Sequence, residues 1–404
     1  MRRLLQINIT ANWGSHGKIA EALGQRVMAD GWESHIAYGR WSNPSQSTLY
    51  HIGNMADEYV HGVASRLFDN HGLMSALPTR RLISHIQAVD PDIIHLHNIH
   101  GYYLNYPTLF RYLAAAGKPV VWTLHDCWPF TGHCAHSMYA DCNKWQTQCH
   151  DCPLLSNYPR SMLLDRSSRN FLLKKQAFLS VDNLRLVPVS QWLENELSHS
   201  FLQDKNRQLI YNGIDTRLFA PASDAGQVRS KLHIPPQGKI ILGVASNWYR
   251  KGLDDFAGLR GMLPDDCHIV LVGLSAKDRK KLPNNIIGIE RTENVNELIA
   301  LYSASNVFFN PTWEDNFPTT NLEAMACGTP VVTYLTGGSA EAITPETGVA
   351  IPKGDLRQAA LAISDICSKD KSHYQAACRE RVTKHFYTQK MLDSYMQLYQ
   401  TLLA

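Results

Sequence analysis

The sequence predicts an α/β protein in which two doubly wound parallel sheets follow one another along the chain. At 404 residues the chain is too long for one ordinary domain, and two domains of roughly 200 residues each are expected. Short apolar runs alternate with segments of helical spacing, as in β-α-β units, and the second half of the chain repeats this alternation. The composition, 44% hydrophobic and 19% charged, excludes disorder, collagen and coiled coil.

The first half contains three apolar strand candidates, and turns with proline precede the last two. Between the first two, a loop with Gly14 and Gly17 leads into Lys18–Ala29, whose apolar residues have helical spacing. Because helical segments connect the strands, we expect the strands to lie parallel in one sheet. The strand candidates are Leu4–Ile9, Ile93–Leu96 and Val120–Leu124.

The second half follows the same pattern, and the domain boundary is predicted near Arg207–Leu209. Met391–Leu403 has helical spacing and is predicted to be a terminal helix that returns to the first domain. The predicted domains are residues 1–208 with 388–404, and residues 209–387, with a ligand-binding cleft between them. The strand candidates are Ile240–Val244, Ile269–Val272, Val307–Asn310 and Pro330–Thr333, and the helix candidates are Leu298–Ser305 and Asn321–Cys327.

Charge and cysteine content restrict the class of protein. The net charge of +3 is a weaker basic bias than a dedicated nucleic-acid binder shows. The sequence has no run near the roughly 20 apolar residues of a membrane span, and Met1–Ile9 is predicted to be a strand rather than a signal peptide. Nine cysteines, an odd number without an export signal, argue against a disulfide framework. We therefore expect a cytoplasmic protein.

The most informative segment is Trp313–Val332, with the sequence WEDNFPTTNLEAMACGTPVV. It predicts a polar loop, a short helix that ends at Gly328, and a new strand after Pro330. The backbone N–H groups of Phe317–Asn321 and the positive end of the helix suit a diphosphate. Glu323 could accept hydrogen bonds from ribose hydroxyls. An exposed helix with a carboxylate near its start explains the same residues, and these patterns alone do not choose between the two.

This segment resembles the motif of the family-4 retaining glycosyltransferases, whose GT-B fold has two Rossmann-like domains. In that family, two glutamates precede an Ala-Met-Ala-Cys-Gly-x-Pro-Val-Val run. Glu323 matches the second glutamate, which binds ribose, while Asp315 stands at the first position and Glu314 lies one position too early. The resemblance implies that Asp315 contacts the donor sugar as a catalytic residue. It assigns the donor diphosphate to Phe317, Pro318, Thr319 and Thr320.

Further matches lie along the whole chain. Asn212-Gly213-Ile214-Asp215 resembles the start of the family's second domain, and Gly14-Ser15-His16-Gly17 resembles its phosphate-binding glycine loop. Thr123-Leu124-His125-Asp126 resembles the strand end whose histidine contacts the donor sugar. His125 is therefore a candidate catalytic residue, although a lone histidine at a strand end is more often structural. The donor-side candidates here are Gly14 and Gly17, and the acceptor-side candidates are His16, His97 and Asn98.

The segment Val244–Gly252 departs from the family pattern. The family supplies an arginine and then a lysine before a glycine, and together these clamp the donor diphosphate. Lys251 matches the lysine, but Ser246 stands where the arginine is expected. Arg250 is the candidate that replaces this arginine in binding the donor diphosphate. The alternative is that Arg250 and Lys251 are only a basic pair on the surface.

His125–Cys134 and the cysteines that follow resemble bacterial polysaccharide glycosyltransferases, such as those of colanic acid and O-antigen assembly. Four of these cysteines are candidate ligands of a structural zinc ion, because the last two have the Cys-x-x-Cys spacing that lets two thiolates meet one ion. Inert thiols and a disulfide are the alternatives. The candidate ligands are Cys134, Cys142, Cys149 and Cys152, and the candidate substitutes are His133, His136 and His150.

The resemblance implies transfer of a hexose from a UDP- or GDP-linked sugar to a lipid-linked oligosaccharide of a bacterial surface polysaccharide. It also implies retention at the anomeric carbon and no catalytic metal or cofactor. A non-catalytic sugar-nucleotide-binding partner is the alternative that Ser246 favours. A GT-B epimerase is a third, although Asn212–Pro221 and Leu322–Val332 fit it poorly. Release of nucleoside diphosphate, with and without acceptor, separates these functions.

The segment Arg160–Arg185 suggests a peripheral contact with the inner membrane. It has six basic and two acidic residues, and apolar residues interleave with these charges as in an interfacial helix. An ordinary domain helix with a solvated basic face is the alternative. The interleaved apolar residues are Phe171, Leu172, Leu173, Phe178 and Leu179.

Overall fold

The computed structural model describes residues 1–222 and 225–404, which form two compact units. The first unit consists of Met1–Ile210 and Leu392–Ala404, and the second of Tyr211–Met391. The ranges predicted from sequence, 1–208 with 388–404 and 209–387, differ from these by a few residues at each boundary.

Each unit is built around one sheet of six parallel strands. The strands are β1 (Arg3–Ala11), β2 (Glu33–Ser42), β3 (Thr48–His51), β4 (Ile93–Leu96), β5 (Val120–Leu124), β6 (Leu184–Pro188), β7 (Lys239–Val244), β8 (Cys267–Val272), β9 (Ile287–Ile289), β10 (Val307–Asn310), β11 (Val331–Tyr334) and β12 (Gly348–Ile351). The first sheet has the order β3-β2-β1-β4-β5-β6, and the second has the matching order β9-β8-β7-β10-β11-β12. In both, the order reverses beside the first strand of the unit, which is the arrangement of doubly wound nucleotide-binding folds. The predicted α/β architecture is confirmed.

Helices connect the strands in both units. They are α1 (Gly14–Ala29), α2 (Met55–Phe68), α3 (Ala76–Val89), α4 (Tyr106–Ala116), α5 (Ser167–Leu179), α6 (Gln191–Ser198), α7 (Ala225–Lys231), α8 (Leu253–Arg260), α9 (Ala276–Arg279), α10 (Val295–Ala304), α11 (Thr319–Ala326), α12 (Leu356–Ser368), α13 (Ser372–His385) and α14 (Thr388–Leu403). Short 3-10 turns occur at Trp128–Phe130, Met138–Ala140 and Lys144–Gln146. Of the helices described, none is long and apolar enough to cross a membrane.

The glycine loop predicted before the first helix is part of that helix. Helix α1 begins at Gly14, whose φ of 67° is in the left-handed region, and Gly17 lies in its first turn. A Cβ atom at Gly17 would come within 2.6 Å of the Thr10 Oγ1 atom. Glycine at this position therefore lets the start of the helix pack closely against the end of β1.

The terminal helix α14 ends in the first unit, as the sequence predicts. Tyr395 and Tyr399 are buried there, and their hydroxyls lie 2.8 Å from the Thr123 Oγ1 and 2.6 Å from the His95 Nδ1. The last helix thus supplies polar contacts to two neighbouring strands, β4 and β5.

The structure places part of the predicted interfacial segment in the core of the first unit, and the membrane contact itself stays a prediction. Within Arg160–Arg185, α5 packs Phe171 and Phe178 into the core of the first unit. The Lys174 side chain is also buried and donates to backbone carbonyls at 2.7 and 3.0 Å. Helical spacing alone could not show that this lysine faces inward.

Candidate functional site

In the second unit, the residues predicted to hold a diphosphate lie at the carboxyl end of β10 and the start of α11. Pro318 is the N-cap of α11, and it gives the helix no side-chain cap. The first N–H groups of a helix need outside partners, and the positive end of the helix dipole favours an anion there. Thr319 and Thr320, the first residues of this turn, are partly exposed. This helix start can therefore bind a phosphate group.

A buried polar network fixes α11 against β10. The Asn310 side-chain amide, at the end of β10, donates to the Asn321 Oδ1 atom at 2.8 Å. Asn321 in turn donates to the Ser339 carbonyl at 2.9 Å. Sequence reasoning missed these residues, since their pairing depends on separate elements that meet in the fold.

Phe317 anchors the loop before α11. Its ring is buried and lies 5.1 Å from the Tyr211 ring and 5.6 Å from the Phe386 ring, measured between centroids. The side chain thus fixes the loop, and only the backbone of Phe317 is left to contact a ligand.

Glu323, the predicted ribose ligand, lies one turn into α11 and is partly buried. The Tyr302 hydroxyl donates to its Oε2 atom at 3.0 Å. Burial, and then the Glu323 carboxylate, raise the pKa of Tyr302 well above its usual value, so this phenol remains a donor. Tyr302 therefore orients the carboxylate, a contact that sequence reasoning missed.

Lys251 and Asp315 are brought together. The Lys251 ammonium lies 2.5 Å from the Asp315 carboxylate, and it also donates to the Thr312 hydroxyl and the Glu314 carbonyl. Both charged side chains are partly exposed. The residue predicted for the phosphate and the residue predicted for the sugar are thus adjacent in one unit.

Arg250 has a different environment. Its guanidinium pairs with the Glu314 carboxylate at 2.6 Å, and both side chains are largely buried. The backbone of Arg250 is left-handed, with φ of 57°, and its carbonyl accepts from the Trp313 N–H. This ion pair directs the Arg250 charge toward Glu314, while Ser246 is exposed.

In the first unit, the predicted histidines lie together where β4, β5 and α1 meet. The His125 Nε2 and His97 Nδ1 atoms are 3.5 Å apart, and the His16 and His125 ring centroids are 5.7 Å apart. The Asn8 side-chain oxygen contacts the His16 Nδ1 at 3.1 Å and accepts from the Asn98 N–H at 3.2 Å. All four predicted polar residues of this unit, His16, His97, Asn98 and His125, therefore share one edge of the sheet.

Hydrogen bonding and burial set the charge of these imidazoles. Gln6 donates its amide to the Ala20 carbonyl, so its oxygen is left to accept from the His97 Nε2–H at 3.0 Å. Burial lowers the pKa of His97 and His125 well below the usual value, and that of His16 to about 4. All three rings are consequently neutral near pH 7.

A second group beside them was missed from sequence. His100 contacts the Asp126 carboxylate at 2.8 Å and the Tyr158 hydroxyl at 2.9 Å. Burial disfavours the charged form of Asp126, but the His100 charge and hydrogen bond outweigh it and lower the Asp126 pKa. His100 and Asp126 line a small cavity together with His97, Asn98 and His125.

The four candidate zinc ligands line one cavity in the first unit. All nine cysteines are free thiols, and Cys134, Cys142, Cys149 and Cys152 line one small cavity. In the part of the chain that the structure describes, no three His, Cys, Asp or Glu side chains are spaced to hold an ion as they stand.

Two family models match this chain. A model described as Glycosyltransferase Family 4 matches residues 17–218, half of the chain. A second, described as Glycosyl transferases group 1, matches residues 238–369. Together with the two doubly wound units, these matches define the class as a GT-B glycosyltransferase. The chain belongs to Glycosyltransferase Family 4.

Individual glycosyltransferases and solved structures are also similar to this chain. The putative colanic acid biosynthesis glycosyl transferase WcaC of Escherichia coli is 26% identical over 99% of this chain and all of its own length. The sucrose-phosphate synthase of Thermosynechococcus elongatus matches with a TM-score of 0.73 at 19% identity, covering 100% of this chain and 99% of its own. Anabaena HepE in complex with UDP matches with a TM-score of 0.67 at 15% identity, covering 99% and 100%. The two solved structures support the fold.

Proposed function

We propose that this protein transfers a hexose from a UDP- or GDP-linked sugar to a lipid-linked oligosaccharide of a bacterial surface polysaccharide, with retention. The observation that carries the proposal is the uncapped start of α11, with Glu323 on the same helix. The likeness to WcaC over its whole length supports colanic-acid-like or O-antigen-like products.

We assign donor binding to the second unit. The N–H groups of Thr319 and Thr320 hold the diphosphate, and Glu323 accepts hydrogen bonds from the ribose hydroxyls. Lys251 gives positive charge to the phosphate, where negative charge grows as the glycosidic bond breaks. Its ion pair with Asp315 opens in this step, which leaves the carboxylate to orient the sugar.

We assign acceptor binding to the first unit, through His16, His97 and Asn98. The bond between the anomeric carbon and the phosphate oxygen breaks, and the acceptor hydroxyl oxygen bonds to that carbon on the same face. The acceptor proton passes to the departing phosphate oxygen, so this step requires no protein nucleophile or metal. Neutral His125 acts as a hydrogen-bond partner of the transferred sugar rather than as an acid.

A peripheral membrane contact, if a lipid-linked acceptor is used, fits a loop of the first unit better than α5. Met162 and Leu163 are 60% and 66% exposed, beside the exposed Arg160. The Met162 N–H donates to the Arg66 carbonyl, which holds the loop against α2. Apolar side chains flanked by arginines suit an anionic lipid surface.

The combined change of Met162→Ser and Leu163→Ser tests this contact. Because less apolar surface enters the bilayer, binding to vesicles with anionic lipid should weaken at least about threefold in a sedimentation assay. Leu361→Ser, at an equally exposed leucine of the second unit, is the control. Unchanged binding in the double variant would remove this loop as the contact.

The function itself is tested by release of nucleoside diphosphate from a panel of UDP- and GDP-sugars. Release that rises on addition of lipid-linked acceptor supports transfer. A second candidate, a non-catalytic binding partner, is favoured by the ion pairs that engage both Arg250 and Lys251. Donor binding without release, with every acceptor tried, supports that candidate instead.

A further inference from the structure

The segment between Phe130 and Ser167 has little regular structure of its own. Among its described residues, regular structure is limited to the short 3-10 turns Met138–Ala140 and Lys144–Gln146. Trp145 and Leu154 are its large buried apolar side chains. A long irregular segment inside a compact domain usually needs a further constraint, such as a bound metal ion.

Four thiols of this segment line one cavity. Cys134 and Cys152 are close neighbours, and both lie near Cys149. The Gly132 N–H donates to the Cys149 Sγ atom at 3.1 Å, and a backbone N–H of Leu154 donates to the Cys152 sulfur. Backbone N–H groups that point at sulfur stabilise a thiolate, the form that binds metal.

A buried imidazole nitrogen lines the same cavity without a partner. The His133 Nδ1 lies 2.6 Å from the Asp69 Oδ1, and both side chains are almost fully buried. This contact fixes the ring, yet the His133 Nε2 atom is buried and has no hydrogen-bond partner. A carboxylate behind an imidazole is typical of histidines that ligate a metal, so His133 is the candidate substitute for one of the four thiols.

A buried lysine lies next to the thiols. Lys174 is 1% exposed, and its ammonium contacts the Trp128 and Thr131 carbonyls and lies 3.7 Å from the Trp128 ring centroid. These three partners carry no full negative charge, and the nearby Asp69 contacts His133. The thiols of Cys134 and Cys149 are within electrostatic range of the ammonium. Thiolates at these positions would compensate the buried lysine.

We propose that the thiolates of Cys134, Cys142, Cys149 and Cys152 bind a structural Zn²⁺ ion in this cavity. Each sulfur forms one bond to the metal and releases its proton to solvent, so the site involves no redox change. Four soft sulfur donors favour zinc among the common divalent ions. The resulting charge of −2 is opposed by Lys174.

Binding draws the four thiols inward from their present spacing. Cys142, Cys149 and Cys152 are only partly buried and lie outside helices and strands, so no helix or strand has to move for the thiols to meet. The ion would also brace the loop that carries Tyr158, whose hydroxyl contacts His100 beside the acceptor-side residues. A closed set of four ligands leaves no open position for water, which makes the site structural rather than catalytic.

The first experiment measures metal in the full-length protein purified without added zinc or chelator. We expect about one zinc per chain, released when the thiols are modified with a mercurial reagent. Replacement by Co²⁺ should give the absorption spectrum of tetrahedral four-sulfur coordination. Less than about 0.2 zinc per chain in fully active protein that also fails to take up Zn²⁺ or Co²⁺ would overturn the proposal.

Variants identify the ligands. Cys149→Ser and Cys152→Ser should each lose the zinc and lower the unfolding temperature of the first unit, while Cys367→Ala, at a buried cysteine of the second unit, should keep it. If the two serine variants do not fold, the cobalt spectrum of the wild-type protein still shows whether four sulfurs bind the metal. A spectrum of three sulfurs and one nitrogen that His133→Ala abolishes would contradict the four-thiolate set.

Discussion

Glu323 depends on a neighbour that is 21 residues earlier in the chain. The Tyr302 hydroxyl holds its carboxylate, so a ligand meets an already oriented acceptor rather than a free side chain. Such preorganisation lowers the cost of binding, because fewer rotamers of the Glu323 side chain are lost when a ligand binds.

Tyr302→Phe removes this hydrogen bond and keeps the ring. We expect the donor dissociation constant to rise about threefold to tenfold, because the carboxylate is no longer fixed in place. Isothermal titration with the donor nucleotide measures the effect. Tyr374→Phe, at another buried tyrosine of the second unit, is the control, and equal affinity in both variants would argue against an orienting role for Tyr302.

His125→Ala tests whether the neutral His125 imidazole contacts the reacting sugar. Because His125 is assigned to the reacting sugar, kcat should fall about tenfold or more while donor affinity changes little. His199→Ala, at an exposed histidine of the same unit, should leave both unchanged. Equal losses in turnover and donor affinity would instead indicate that His125 acts by supporting the fold.

At the scale of elements, the first sheet has an unusual number of buried histidines along its carboxyl edge and nearby helices. Burial lowers the pKa of His61 and His95 to about 3 and that of His16 to about 4, and it holds His71, His97 and His125 well below the usual value. In the native state these rings remain neutral as the pH falls, whereas the unfolded chain binds protons from about pH 6.5 downward.

This difference predicts that the first unit loses stability in mild acid. Between pH 6.5 and about 4, each such histidine lowers the free energy of unfolding by up to about 1 kcal/mol per pH unit. Thermal unfolding followed by tryptophan fluorescence measures the slope, which His95→Gln should make shallower. A midpoint that does not change between pH 7 and pH 5 would contradict the assignment of neutral buried rings.

Elements that the sequence predicted well are those whose burial is uniform. Val307–Asn310 and Ile93–Leu96 were predicted with their observed bounds, because a central parallel strand is buried on both faces and is therefore mostly apolar. The edge strand Thr48–His51 was missed, because its residues are polar or only half buried. Lys174 in α5 was misjudged, since sequence spacing cannot show that carbonyls and a tryptophan ring surround a lysine.

The candidate site also has residues that the sequence predicts and residues that only the fold brings together. Lys251, Glu323 and His125 could be proposed from sequence, because each lies in a short motif at a strand end or helix start. The Tyr302 contact and the His100–Asp126 pair could not, because their partners are 21 and 26 residues apart and meet only in the fold. The sequence alone shows that Ser246 departs from the family motif. The structure was needed to show that Arg250 pairs with Glu314.

At the scale of the whole molecule, the chain begins and ends in the same unit. Helix α14 starts in the second unit and finishes in the first, where the Tyr399 hydroxyl lies 2.6 Å from the buried His95 Nδ1. The terminal helix is therefore part of the polar core behind the histidine edge, not an appendage to it.

Tyr399→Phe tests this contribution. Loss of the hydroxyl leaves the His95 nitrogen buried without its partner, which should lower the free energy of unfolding by about 1–3 kcal/mol. Urea unfolding measures the change, and Gln400→Ala on the exposed face of the same helix is the control. If the two variants are equally stable, α14 does not stabilise the first unit through this contact.

The central claim, that the second unit binds a nucleoside diphosphate sugar for transfer, is tested most directly by Glu323→Ala. The measurement is donor binding together with acceptor-dependent release of nucleoside diphosphate, in wild type and in a variant shown to be folded by its unfolding midpoint. Loss of a hydrogen bond to a charged acceptor should weaken donor binding by about 1.5–3 kcal/mol, and transfer should be abolished. Wild-type donor affinity and turnover in folded Glu323→Ala protein would contradict the account.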